Sequence, residues 1–562
     1  MAESAEESKR DRILHVLNRL GFGPRPGDFE RVRAMGPERY VQEQLHPESI
    51  AIPGDLTERV NEYRTIHMSP IALFVEYQRP IMEARMDAKA ESGGDKAAIK
   101  DATKDATKDL SIQQRVVMRE AAEARMMRAI EGPRQLQEVM TAFWFDHFNI
   151  FAGKGLDNIW TGAFEQTAIR PHTMGKFRAL LGATAHHPAM LFYLDNWQNT
   201  APGSAGAKGK FEGINENYAR ELMELHTLGV NGGYSQVDVI ALAHILTGWG
   251  LPKGGGGGGG GGNRRPGGEG MQGAGMDGFF PFMRRRQNFR RPGVAPVDPS
   301  GFYFDAQRHD FSSKNFLGHR IDGGGIAQGE HALDILASSA ATAKHLSFKL
   351  AQYFVADDPP KALVSRMADR YLATDGEIRA VLETMFTSAE FRDPRYYGAK
   401  FKTPYEYVVS CARATGVPIR NYRPLYGTMQ ILGMPLYGCQ TPNGYANTQE
   451  AWLNPGAMMT RLSFATALGS GNLPLENPPF EEDAGGGAMR REPAVVPKNG
   501  GGKVSIKFDP GPHGPKMTPP DPVQLAATLG DYFSPSTANA VEASPTQLRA
   551  LLILGSPEFM KR

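Results

Sequence analysis

Residues 215–250 read NENYARELMELHTLGVNGGYSQVDVIALAHILTGWG, the densest mixture of ionisable and apolar residues in the chain. At about 100° per residue, Tyr218, Leu222 and Leu225 fall on one side of a helix, and Glu216, Asn217, Arg220, Glu221, Glu224 and Thr227 on the other. Asn215 suits an N-cap, and Glu216 in the first turn favours the positive end of the helix dipole. The helix is expected to stop near Gly229, because Asn231-Gly232-Gly233 tolerates positive φ. Ser235 with Asp238 three residues on is a capping-box variant that starts a second helix with the stripe Val237, Ile240, Ala241, His244 and Ile245.

The polar face of the first helix has two readings. Glu216, Arg220 and Glu224 make an i, i+4, i+8 ladder of the kind that laces solvated helices. The same face could instead line a cleft, with Arg220 fixing one carboxylate while crowding raises the pKa of another. His226 projects toward the apolar side with Ala219 and Leu222, so this helix cannot chelate a metal through a His-Glu pair as zincin helices do. It reads as a satisfied core histidine, and His244, inside the second stripe, reads the same way.

Outward from this pair of helices, the chain continues in helical periods. Residues 141–151, TAFWFDHFNIF, form an aromatic cluster that must be largely buried. His147 within it reads either as core or as a general base or ligand, since Asp146 and Asn149 add polarity that a pure core avoids. Residues 186–199, HHPAMLFYLDNWQN, place Asp195 and Asn196 at or beyond a helix end, as turn residues or as binding groups above a cleft. The KDATKDATKDL run reads as a solvated arm of a long helix. An aromatic run at 302–304 has strand propensity. His309-Asp310, followed by Lys314, presents polar groups from a hairpin or loop and is a weak metal signal. MPLYGCQTPNGY, residues 434–445, is loop-rich. The fold class expected is mainly α: a large orthogonal multi-helix assembly with long loops and a few short strands. Its parts are a disordered leader 1–12, helical regions 13–250 and 301–473 of one domain, a Gly/Arg-rich low-complexity insertion 251–300, and a Pro/Gly-rich tail 474–562 with a closing helix.

The 562 residues carry a net charge of +2, from 63 Lys and Arg against 61 Asp and Glu, which argues against a general nucleic-acid-binding surface. Two cysteines, Cys411 and Cys439, form neither a disulfide framework nor a metal cluster, although they could pair. No apolar run reaches the roughly 18–20 residues of a membrane span, and the N-terminus lacks a signal-peptide core. Either the protein is cytoplasmic, or an export signal has been removed and it is periplasmic or extracellular.

The phrases HVLNRLGFGPRPGD, FWFDHFNIF, HPAMLFYLDNWQN, NENYARELMELHTLGVNGGYSQVDV, ALAHILTGWG, HDFSSKNFLG and KLAQYFV together resemble the bacterial domain-of-unknown-function 1800 family, from about Ile13 to Leu468. The resemblance implies a mainly helical fold, frequent export, and frequent encoding beside a sulfatase-like family, a candidate partner. Its recurrent polar positions fall on His147, Asp195, Asn196, Asn215, Glu216, Asn217, Arg220, Glu221, Glu224, His226, Thr227, His309 and Asp310. The polyglycine insertion and the missing signal peptide depart from the family pattern.

Two functions follow as expectations. The first is a hydrolase or lyase acting on an envelope or extracellular polymer. Glu221 and Glu224 would share acid/base work, Arg220 would orient a carboxylate or substrate anion, and His147 or His309 would assist. Asp195, Asn196, Asn215, Glu216, Asn217, His226 and Thr227 would bind. A metal-assisted version would draw a divalent metal onto His309 and Asp310, with His147 and one Glu. The second is a non-catalytic helical binding or assembly protein of the cell envelope, in which the same polar groups are mutually satisfied.

Overall fold

Helical periodicity is realised along the chain. The computed structural model describes residues 2–91, 96–251, 300–477, 517–530 and 533–562. Helices make up nearly all of its regular structure, so the protein is mainly α. Two short antiparallel ladders are the strands among the described residues: Trp249–Gly250 with Tyr303–Phe304, and Lys314–Phe316 with His319–Ile321. The aromatic run near 303 therefore closes against the end of the GWG segment. The Gly/Arg-rich insertion, apart from its edges, and the tail stretch 478–516 lie outside the described residues.

One hydrophobic cluster runs from Ile13 to Met560. It draws together both helical regions on either side of the insertion. The Lys96–Glu131 helix contributes only its C-terminal half, through Ala121, Ala124 and Met126, while the charges of the KDAT repeats stay exposed. The Gln135–His147 helix lies at the centre. Leu136, Val139, Met140 and Trp144 along it are fully buried, as expected for a segment this aromatic. The closing helix, Thr546–Leu554, packs on Pro455–Gly469. It crosses at Gly469, where a Cβ would stand 2.7 Å from the Leu551 nitrogen. Beyond it, the backbone of Lys400 and Lys402 accepts the chain end, Lys400 N donating to Arg562 O at 3.1 Å and Lys402 N to Met560 O at 2.9 Å. Among the described residues no helix is long and apolar enough to cross a membrane.

Around the central pair the sequence signals land where the side chains place them. Ser235 and Asp238 form a reciprocal capping box at the start of Gln236–Ile245. The preceding helix starts at Asn217, with the Asn215 side chain accepting the Asn217 N–H at 2.9 Å. After Glu221 it widens into a π-type turn over Leu222–His226. Such insertions shift the register of the helix face. Thr227, expected on the polar face, is instead fully buried, its hydroxyl donating to the Leu222 carbonyl at 2.7 Å.

Candidate functional site

The polar face of the central helix is a closed ring of partners. Arg220 lies 3.1 Å from Glu216 and 3.6 Å from Glu224. It also donates to Gln236 at 2.8 Å, and Gln236 donates back to Glu216 at 2.7 Å. All these groups are at least partly exposed, so each ion pair contributes a few tenths of a kcal/mol. Glu221 stands apart. It is half-buried, takes no hydrogen-bond partner among the described residues, and has its pKa raised by burial and then by Glu224.

Asparagines N-terminal to this helix hold backbone. Asn196 donates to the carbonyls of Leu246 and Trp249, at 3.3 and 2.9 Å. Asn217 donates to Leu194 O at 3.2 Å, and Asn215 N donates to the side chain of Asn199 at 2.9 Å. Asp195 adopts a left-handed φ of 60° and pairs with Lys154 at 2.9 Å. These residues fix the LDNWQN loop to the helix pair.

His147, His226 and His345 cluster at the C-terminal end of the central helix, where helix carbonyls lack intrahelical donors. His147 Nε2 donates to the His226 carbonyl at 3.0 Å, and His345 bonds the Leu225 carbonyl. The two rings therefore act as caps, which fixes the Nε2–H tautomer of His147. Its Nδ1 and the Nε2 atoms of His226 and His345 are buried without a protein partner. Burial drives all three pKa values down, to about 3 for His226 and about 4 for His345, with Lys349 adding to the effect at each.

His309 and Asp310 occupy a different neighbourhood. His309 Nδ1 meets the Thr247 carbonyl at 2.8 Å and Nε2 meets Gln328 Oε1 at 2.7 Å. Asp310 pairs with His244 at 2.8 Å and Lys314 at 3.2 Å. Burial would raise its pKa, but bonds from Ser312 and Lys314 outweigh that and bring it down to about 2. Both ring nitrogens of His309 are engaged, and among the described residues no group of three or more His, Cys, Asp or Glu side chains is placed to hold a metal ion. His147, Glu221 and His309 thus belong to three separate environments.

A different set of residues does converge. Asp146, one residue before the inward-facing His147, lines a narrow cleft with about 30 Å³ of free space, room for one or two waters, whose lining includes Asn149, Tyr353, Glu406, Tyr445 and Asn447. The loop 437–447 forms one wall and is clamped from below. Asn149 donates to the carbonyls of Cys439 and Thr441 at 3.1 and 2.8 Å, and the Tyr193 hydroxyl donates to Gln440 O at 2.8 Å. Gly444 passes so close that a Cβ would lie 2.1 Å from the Asp146 carbonyl oxygen, at a φ of +70°. Only glycine fits that approach. Behind the cleft, buried Arg125 pairs with Glu165 at 3.2 Å, and Arg170 pairs with Glu138 and Glu165 at 2.6 and 3.1 Å.

Burial pushes the Asp146 carboxyl up to about 7, against the pull of Arg125, Lys349 and the Tyr445 N–H. Lys349, on the Ala340–Phe354 helix one turn before Tyr353, is brought down to about 8 by burial, with Asp146 holding it from falling further. A carboxyl with a pKa near neutral is what proton transfer at physiological pH requires. Burial raises the pKa of Tyr193, and Cys439, Asp157 and, least, Glu221 add to the effect. Cys411 and Cys439 are both free and buried. Burial pushes the Cys411 thiol up to about 12 and raises Cys439, so neither is poised as a thiolate.

Asp146 was visible in the sequence only as a polar neighbour of His147. Lys349 sat unnoticed within KLAQYFV, and Tyr445 and Asn447 within or just after a loop-rich phrase. The glycine of PNGY was the available signal for a close backbone approach.

The chain belongs to the family described as "Protein of unknown function (DUF1800)", whose model matches residues 15–561, nearly the whole length. No curated protein and no solved structure matches it.

Proposed function

We propose that the protein is a hydrolase or lyase whose acid/base chemistry is carried by Asp146 in the cleft beneath the 437–447 loop. The observation that carries this reading is the placement of Asp146: a carboxyl lining the cleft, under the close approach of Gly444 from the loop wall, and pushed up to about 7 by burial. Asp146 accepts or delivers the proton at the reacting centre, and Lys349 sets its charge. Glu221 is the second carboxyl, its pKa raised by burial and by Glu224 and lowered by Arg220, and His147 holds the helix end beyond it. The substrate expected is an envelope or extracellular polymer, which the 437–447 loop would have to lift to admit.

The test is a panel of chromogenic esters, amides and glycosides, with carbonyl compounds for retro-aldol cleavage, assayed with wild type and Asp146→Asn. Turnover of one class that is lost in the variant, with the melting temperature kept within a few degrees, supports the reading. Undiminished turnover in Asp146→Asn would sink it.

A second reading, a non-catalytic assembly protein, is favoured by one feature. The Glu216-Arg220-Glu224-Gln236 ring is mutually satisfied, as a helix-packing network would be. On this reading Arg220→Gln, which removes the centre of the ring, lowers the melting temperature and no variant affects any turnover.

A further inference from the structure

The cleft at Asp146 has a cationic floor. Arg125, one of its lining residues, is buried among the rings of Phe145, Tyr405 and Tyr437, with its guanidinium carbon 5.2, 5.0 and 5.2 Å from their centroids. Its Nη1 donates to Glu165 at 3.2 Å. Glu165 also accepts from Arg170 at 3.1 Å and from the Tyr437 hydroxyl at 2.8 Å, and Gln166 links it to Arg128 through bonds of 3.4 and 3.0 Å. The second carboxylate of this network is Glu138, held by Arg170 at 2.6 Å. Three guanidiniums, those of Arg125, Arg128 and Arg170, therefore share two carboxylates. The imbalance repeats around Glu406, which also lines the cleft and pairs with Arg562 at 2.9 Å. Its charge acts on Arg19 and Arg461 as well. Both are fully buried, without an ion pair among the described residues. Each gives Nη2 to a backbone carbonyl, Tyr396 O and Lys402 O, at 2.7 Å, and its Nε and Nη1 have no partner. Arginine keeps its proton when buried, so uncompensated guanidinium charge is costly and an anion relieves it.

We propose that this cleft is a subsite for a carboxylate: Arg125 receives a carboxylate of the substrate, and Asp146 in its acid form donates a hydrogen bond to it. This rests on the reading of the cleft as the reacting site, and it narrows the substrate to one that carries a carboxylate there. Arg125 is then a specificity residue. A planar guanidinium matches both oxygens of a carboxylate, and Glu165 and the surrounding rings fix its plane before the ligand arrives. About 30 Å³ has room for the two oxygens of a carboxylate in place of one or two waters, and the rest of the molecule enters as the loop lifts. The charged groups acting on Asp146 are Arg125, Lys349 and Glu406. An ionised Asp146 repels a second carboxylate, so binding takes up a proton.

The probe is acetate, titrated into the native full-length protein at pH 6 and pH 8 against sodium chloride of equal ionic strength, with melting temperature and aspartate Cγ carbon-13 NMR as readouts. Saturable binding is expected at pH 6. With Asp146 titrating near 7, the affinity falls about tenfold at pH 8. Bound acetate moves the Asp146 midpoint up. Arg125→Lys keeps the positive charge beside Glu165 but loses the planar fork, and is expected to weaken acetate at least about tenfold. Acetate that acts no differently from chloride would overturn the subsite, and so would undiminished binding in Arg125→Lys. If that variant does not fold, the wild-type midpoint decides: one that acetate leaves in place overturns the hydrogen bond from Asp146. The two readings fail separately. Turnover lost in Asp146→Asn, with no acetate bound by wild type, leaves the acid/base chemistry standing and removes the carboxylate. Acetate bound through Arg125, with turnover undiminished in Asp146→Asn, keeps the subsite and removes the acid/base role.

Discussion

Two polar regions of this protein behave oppositely. On the central helix, four charged residues lie within nine positions, and three of them, with Gln236, pair with one another at the surface. In the cleft, Asp146 has no ion-pair partner among the described residues, and burial pushes its carboxyl up to about 7. Density of charge in a sequence marks a place where charges can satisfy each other. Chemistry needs a group that the fold leaves unsatisfied.

The largest effect that would break this contrast is in turnover. Asp146→Asn is expected to lower it by about a hundredfold or more, measured on whichever substrate class the panel identifies, while Glu224→Gln stays within about threefold. Equal losses would erase the distinction between the two regions. Gly444→Ala comes next. Its Cβ would overlap the Asp146 carbonyl at a positive φ, so the loop must lift, with an expected loss of about 1–3 kcal/mol in denaturant unfolding. A variant as stable as wild type would mean the loop is not clamped as described.

Acid should act on the histidine caps. The folded pKa values of His147, His226 and His345 lie below the ordinary imidazole value. Their contribution to stability is therefore fully present above about pH 6.5, and is lost as pH falls toward 4 and 3. Melting temperatures should drop over that window, and His226→Gln should flatten the drop. A curve unchanged by that substitution would show the histidines are not the cause. The smallest effect is at the surface ring, where Glu224→Gln should shift stability by no more than about 0.5 kcal/mol.

How much of this was legible depends on distance along the chain. The helix pair, its capping box and its glycine stop follow from local periodicity, and the loop position of Asp195 and Asn196 from the end of an apolar run. The π-type turn was not legible, because one extra residue in a helical turn leaves no trace in composition, and it put Thr227 inside. Nor was the cleft. Asp146, Lys349, Glu406 and Tyr445 come from segments spread over some three hundred positions of sequence, and each looks ordinary in its own helix or loop. The family resemblance was visible in NENYARELMELHTLG, yet the residues it singles out are mostly those that hold backbone: Asn196, Asn215, Asn217 and His147 satisfy carbonyls or amides. Strong sequence patterns here report on how the site is built rather than on which atoms react.

The most direct measurement is the titration of the Asp146 carboxyl itself, by carbon-13 NMR of protein labelled at aspartate Cγ, with Asp146→Asn to assign the signal. A resonance that inflects near pH 7 in wild type and is missing from the variant is expected. An Asp146 signal that has finished titrating by pH 4 would contradict the cleft as the seat of acid/base chemistry.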